Sequence, residues 1–265
     1  MFQESVKVLW NTLECSGYYR IGMQSNPGYS RAKPGQFVMV RFPDEVTPLL
    51  RRPFSIHRLI HHQGRITGIE LLYKVVGTGT EKLSLSRKGD GLDLLGPLGT
   101  HFKIPENTRR VFIVAGGIGV APMFFLSATL EKAGVDLTES RVFIGGRSRD
   151  DLLCMNDFIS VGMRTVHLTT EDGSAGLRDL VTTPLERAVA ERAPDRIYAC
   201  GPLPMIRAVA GIARRYRVPC QISIESLMAC GMGACLGCAV EGADSGKYLH
   251  ACIDGPVFEA DRLNL

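Results

Sequence analysis

Three cysteines and three glycines crowd into the nine residues "CGMGACLGC", Cys230 to Cys238. The thiols are spaced C-x4-C-x2-C, and a fourth, Cys252, follows after thirteen intervening residues. Plant-type [2Fe-2S] proteins use this spacing with a distant fourth cysteine, because one loop can then turn several thiolates and backbone N–H groups inward. Glycines at 231, 233 and 237 can take φ > 0 and let the backbone approach inorganic sulfide. Hydrogen bonds from such a loop help set a reduction potential. Zinc is the rival, since it too accepts four thiolates, but zinc sites more often pair two C-x2–4-C units. Either ion would be held by Cys230, Cys235, Cys238 and Cys252.

A [2Fe-2S] centre carries one electron at a time and needs a donor. Residues 114–122, "VAGGIGVAP", offer a place for one. An apolar strand ends in Gly116, Gly117 and Gly119, and a helix starts, so backbone N–H groups could face a pyrophosphate. This is not the G-x-G-x-x-G fingerprint. Residues 199–205, "ACGPLPM", end a later strand. Ligands of open parallel sheets bind at the carboxyl ends of strands, which puts Cys200 and Gly201 beside a nicotinamide; the bland alternative is a tight turn closed by Pro202. In "RPFSI", residues 52–56, Arg52 could pair with a phosphate, Phe54 could pack on an aromatic face and Ser55 could hydrogen-bond a flavin nitrogen. "GTGT", residues 77–80, precedes a helical run, so Gly79 and Thr80 suggest a second anion site.

The elements that must position these residues change character along the chain. "SVKVLW", "YYRIGM", "QFVMVRF", "FSIHRLI" and "ITGIELLYKVV" read as short strands without intervening helices, which suggests a small antiparallel barrel over residues 1–103. From about Pro105 to Arg217, apolar strands alternate with helical patterns, including a short helix from Asp150; this implies a parallel-sheet α/β domain over 104–217. The cysteine-rich piece, with the strand "VPCQISIE" at its head, makes a small third domain over 218–265.

Composition excludes several classes. Of 265 residues 45% are hydrophobic and 22% charged, enough for a sizeable core, and the net charge of +4 comes with arginine pairs rather than a basic tract, so no nucleic-acid partner is expected. Residues 111–130 carry no charge, but Gly116, Gly117, Gly119 and Pro122 interrupt them; strand, turn and helix explain the stretch better than a membrane span. The N-terminal sequence lacks a signal-type apolar core, which argues against export and for a reducing compartment. Cys15, Cys154 and Cys220 then read as small buried hydrophobes. His57, His61 and His62 read as surface residues of a barrel hairpin.

Taken together, "RPFS", the glycine loop and "CGP" resemble the ferredoxin reductase family, with Phe54 where that family's R-x-Y-S motif has tyrosine. The C-terminal "MACGMGACLGCAV" and "HACIDGPVF" resemble its dihydroorotate dehydrogenase B electron-transfer branch; flavin subunits of a ferredoxin–NADP oxidoreductase, sulfide dehydrogenase or hydrogenase are the nearest alternatives, and a zinc-stapled binding module the one from another class. The resemblance implies FAD contacts at Arg52, Pro53, Phe54 and Ser55, at Leu72, Tyr73 and Lys74, and at Gly79 and Thr80, and [2Fe-2S] ligation by the four cysteines. It implies NAD as a diffusible substrate and a cytoplasmic, FMN-containing catalytic subunit as partner, in a heterotetramer of two of each, with no membrane. Asp150 and Asp151 lean toward NAD, while Arg147 and Arg149 leave NADP open.

Overall fold

The computed structural model describes residues 1–43 and 49–265. The first unit is a closed six-stranded antiparallel barrel. Its strands are β1 (Phe2–Cys15), β2 (Tyr18–Gln24), β3 (Phe37–Arg41), β4 (Arg52–His62), β5 (Arg65–Lys74) and β6 (Gly91–Leu98), in the order β1-β2-β5-β4-β3-β6. Period-2 alternation sends Val6, Val8, Ile21, Met23, Ile69, Leu71, Leu92 and Leu94 into one core. The sequence pattern picks out five of these strands. The sixth, "GLDLLGPL", closes the barrel between β1 and β3. Its glycines and proline read as a loop, yet it pairs along both edges. Helix α1 (Thr78–Ser84) follows β5.

The second unit is a parallel sheet. Strands β7 (Val111–Gly116), β8 (Arg141–Gly146), β9 (Thr165–Thr170), β10 (Leu177–Arg178), β11 (Arg196–Cys200) and β12 (Cys220–Ser223) run parallel. Helices α2 (Val120–Lys132), α3 (Met155–Ser160), α4 (Thr182–Glu191) and α5 (Leu203–Arg215) connect them. The charge-free stretch is therefore β7, a turn and α2, and among the described residues no helix is long and apolar enough to cross a membrane. The helix expected from Asp150 begins later: Arg149–Asp151 form one 3-10 turn, and Cys154, at φ 63°, precedes α3.

The cysteine-rich segment is woven into the sheet. After β12 it forms a hairpin of β13 (Ala239–Glu241) and β14 (Tyr248–His250), and then returns as β15 (Val257–Glu259), antiparallel beside β12. The full order is β10-β9-β8-β7-β11-β12-β15.

Two expectations about isolated residues fail. His61 and His62 are exposed, but His57 is fully buried, because α2 packs over the outer face of β4 at that point. Cys154 and Cys220 are buried, whereas Cys15 is only half-buried near the end of β1, and its thiol faces the Asp150 carbonyl at 3.2 Å.

Candidate functional site

Antiparallel pairing of β4 with β5 brings two barrel motifs side by side. Ile56 pairs with Leu71, so the strand positions of "RPFS" and "LYK" are neighbours. The Phe54 and Tyr73 rings meet edge to face at 5.8 Å, and Tyr19 stacks on Tyr73 at 5.6 Å. Arg52, Pro53, Phe54, Ser55, Leu72, Tyr73, Lys74 and Thr80 line one side of a cavity of about 390 Å³. Gly79 does not line it. That glycine sits behind Arg52, where a Cβ would lie 3.0 Å from the Arg52 Nε. The Thr80 hydroxyl is used locally: it accepts from the Val76 and Gly77 N–H groups and donates to the Gly77 carbonyl at 2.9 Å.

The sheet supplies the other wall: Gly119, Ala121, Pro122 and Cys200 face the barrel residues. The sheet order explains why. Strand β7 has β8 on one side and β11 on the other, so the strand order reverses there, although all three run parallel, and a crevice opens at the carboxyl ends. The glycine loop after β7 and "CGP" after β11 meet in that crevice. A Cβ on Gly119 would lie 2.3 Å from the Cys200 carbonyl oxygen, so only glycine allows this approach.

A second cavity of about 710 Å³ continues from the crevice, lined by Gly116, Gly117, Ile118, Arg147, Asp151, Pro202 and Met205. The two cavities share Lys74, Val76, Ile118 and Glu225 and so form one cleft across the seam. The acidic pair expected to lean toward NAD divides. Asp150 does not line the cleft. Asp151 does, but its carboxylate accepts from the Tyr18 hydroxyl, from Lys74 Nζ at 3.1 Å and from the Arg147 N–H at 3.0 Å. Burial raises the Asp151 pKa, and the Tyr18 and Lys74 hydrogen bonds outweigh it and hold the group below the usual carboxylate range. Burial and the same bond push Tyr18 up to about 12.

Sequence reading missed part of the lining. Ser223, Ile224, Glu225, Ser226, Leu227 and Met228 close the 390 Å³ cavity. Ser223 ends β12 and the others follow it, at a carboxyl end of the parallel sheet, the one signal that could have marked them. Thr169 was missed too: its buried hydroxyl has no partner among the described residues and it lines the larger cavity.

The four cysteines lie between Met228 and Pro256, both of which line the 390 Å³ cavity. Cys238 and Cys252 are buried with sulfurs 3.2 Å apart; Cys230 is half-buried and Cys235 exposed. The loop aims N–H groups at sulfur: Met232 and Cys235 at Cys230, both at 3.4 Å, and Gly233 at Cys252 at 3.2 Å. Burial raises the Cys230 pKa, but the N–H groups of Met232, Cys235 and Ala234 overcome it and draw the thiol down to about 6. Gly231 and Gly233 take φ of 74° and 82°; the third left-handed residue is Leu236, at 58°, in place of Gly237. A single zinc ion at about 2.3 Å from each sulfur needs all four within about 3.8 Å of one another. Among the described residues, the one group of three or more donors lying within 4.8 Å of one another is elsewhere, at His57, Cys154 and Asp157. The wider spread of the four sulfurs, with N–H groups directed at them, fits a two-iron cluster better.

Comparison with known proteins bears on both halves of this arrangement. Residues 225–264 match the iron-sulfur cluster binding domain of dihydroorotate dehydrogenase B, and residues 113–211 match the oxidoreductase NAD-binding domain. The dihydroorotate dehydrogenase B (NAD(+)) electron transfer subunit of Desulforamulus reducens is 39% identical over 86% of this chain and 85% of that protein. Its counterpart from Geobacillus kaustophilus is 35% identical over 99% of both. The chain belongs to this family. Among solved structures, a chain from a study of flavin-based electron bifurcation, on NADH-dependent reduced ferredoxin-NADP oxidoreductase, superposes with a TM-score of 0.83 and 28% identity over 98% of this chain and 89% of that one. A ferredoxin NADP+ reductase from Neisseria gonorrhoeae, with FAD and NADP bound, shares the fold at a TM-score of 0.66 and 15% identity over 81% of this chain and 91% of that one. The fold is thus a six-stranded barrel, an NAD-binding sheet and a C-terminal iron-sulfur binding unit, and the chain is an NAD-linked oxidoreductase subunit.

Proposed function

We propose that this chain carries electrons that a catalytic, FMN-containing subunit removes from dihydroorotate, through a [2Fe-2S] cluster and FAD, to NAD. The observation that carries the reading is the continuity of the cleft: barrel wall and sheet wall meet in it, and Met228 and Pro256, which flank the cysteine segment, line it. In it Arg52 and Lys74 meet phosphate charge, Phe54 faces the ring system, Tyr73 backs Phe54 from the barrel core, and Ser55 offers a hydrogen bond. Gly116, Gly117 and Gly119 keep one wall bare of side chains for a nicotinamide dinucleotide, while Cys200 and Gly201 end at the switch point. Cys230, Cys235, Cys238 and Cys252 hold the cluster. Residues 1–103, 104–217 and 218–265 are the corresponding functional units, the last lending β12 and β15 to the sheet.

The partner reading rests on the cysteine rim. Leu227 is 90% exposed, and Leu236, Ile253 and Met232 are also open to solvent around the exposed Cys235. An apolar rim around a metal-binding loop suits docking of the catalytic subunit. We place the complex in the cytoplasm as two copies of each subunit.

Substitution of Cys235 by serine tests the reading. Purified wild type should show flavin absorption and about two irons per chain. The variant should lose iron, since serine cannot supply the soft thiolate, and keep flavin. NADH-driven dye reduction should persist, while dihydroorotate-driven NAD reduction by the reconstituted complex collapses. A variant that lacks iron, keeps flavin and couples the two at the original rate would refute the relay; a colourless zinc protein would refute the cofactors.

A further inference from the structure

His57 lies two residues past Ser55 on β4, fully buried, between the barrel and the sheet unit. Its Nδ1 lies 2.8 Å from the Ala121 carbonyl oxygen, in the first turn of α2. A carbonyl only accepts, so Nδ1 carries the proton. Burial, together with the charges of Arg20 and Arg58, lowers the imidazole pKa to about 3, so the ring is neutral and this tautomer is fixed. The ring also packs against Phe124 of α2 at 5.1 Å.

The remaining nitrogen, Nε2, has no hydrogen-bond partner among the described residues. It faces Cys154 and Asp157, and Glu70 lies 3.9 Å away, too far for a hydrogen bond. A metal ion is not what the group is built for. The Arg20 guanidinium already sits there, paired with Asp157 and 3.7 Å from the Cys154 sulfur, and it is a resident cation. Nor does packing alone require a histidine. The Ala121 carbonyl is also served by the α2 ladder, and a leucine would fill similar space without an orphaned nitrogen.

What the histidine supplies beyond packing is a directional tie between two cavity walls. Ser55 of β4 and Ala121 of α2 line the same cavity on opposite units, and His57 joins one strand to the other helix just behind them. We propose that His57 is a positioning residue: its Nδ1–H···O=C bond to Ala121 sets the separation of the flavin strand from the glycine-loop helix, and with it the flavin–nicotinamide geometry for hydride transfer. The inference rests on the FAD reading of the cavity given above.

Three variants test it. In H57N the side-chain amide nitrogen stands near the place of Nδ1 and keeps the donor; H57Q carries its donor at the position of Nε2; H57L has none. Each is purified with its flavin, and the reduction of FAD by NADH is followed by stopped flow. H57L and H57Q should retain flavin and thermal stability. Their limiting reduction rate should fall about tenfold or more, because shifts near 1 Å in donor–acceptor geometry can cost up to about a hundredfold. KM for NADH should change less than the rate. H57N should return to within about threefold of wild type. Equal rates for H57N and H57Q, or an H57L protein with full flavin and the wild-type limiting rate, would overturn the proposal. If H57L fails to fold, the Asn–Gln comparison decides. A wild-type protein without flavin would instead refute the FAD reading itself, and this proposal with it.

Discussion

Gly119→Ala probes the crevice where the two loops meet. The added Cβ would lie 2.3 Å from the Cys200 carbonyl oxygen, 2.6 Å from its carbon and 2.7 Å from the Gly201 nitrogen. Ordinary contact begins near 3.4 Å, so the loops after β7 and β11 must part by about 1 Å. All three obstructing atoms are backbone, so no side chain can swing away. Overpacking of this kind costs about 1–3 kcal/mol. The functional loss should be larger in proportion, because both loops face the proposed nicotinamide position, and a 1 Å displacement there costs up to about 10²-fold in rate. Gly211→Ala is the control. Gly211 lies within α5 with nothing within 4 Å of its added Cβ, and alanine there should stabilise by about 0.5–1 kcal/mol. The assay is NADH-dependent dye reduction, with melting temperature and flavin content measured on the same samples. Gly119→Ala should lose most of its kcat/KM while keeping flavin; Gly211→Ala should lose none. A Gly119→Ala protein with wild-type kcat/KM and wild-type stability would refute the close approach.

The seam should also be acid-sensitive through Asp151. Its folded pKa is depressed, so its contribution, about 1.5–3 kcal/mol for hydrogen bonds to a charged group, is present above the unfolded value near 3.9 and fades as pH falls through the folded value. Urea midpoints of wild type and Asp151→Asn should therefore differ at pH 7 and converge below about pH 4; a gap independent of pH would count against the ion pair. For nucleotide choice, kcat/KM should favour NADH over NADPH. The reverse would assign a 2′-phosphate to Arg147, which lines the larger cavity and has no ion-pair partner among the described residues.

The parts of the site legible in the sequence are those whose chemistry is local. Four thiols at ligand spacing identify themselves, as do glycines closing apolar strands. The barrel was legible except for β6, where Gly91, Gly96 and Pro97 carry loop-forming preferences that tertiary pairing overrides. His57 was misread because a strand pattern shows only that Ile56 and His57 face opposite ways. Ile56 joins the barrel core; that α2 covers the other face depends on how two units dock, which no local pattern records. Residues 224–228 were missed for a related reason: they line the cavity as irregular chain, with no period to mark an inward side.

Docking also explains how a cysteine loop with little regular structure can be held in place. Strands β12 and β15 flank it in sequence and pair with each other in space, so both ends of the segment are fixed at one edge of the sheet. The barrel braces the same region. The Thr100 N–H donates to the Gly255 carbonyl at 2.6 Å, and its hydroxyl donates to the Val257 carbonyl at 2.8 Å. At the loop itself, an added Cβ on Gly231 would lie 2.5 Å from Met39 of β3, so the cysteine turn lies flat against the barrel. Electron transfer over a fixed gap needs its carriers held by rigid elements rather than by a tether. The cysteine loop meets that need because the segment is tied at its ends to the sheet and packed at Gly231 against the barrel.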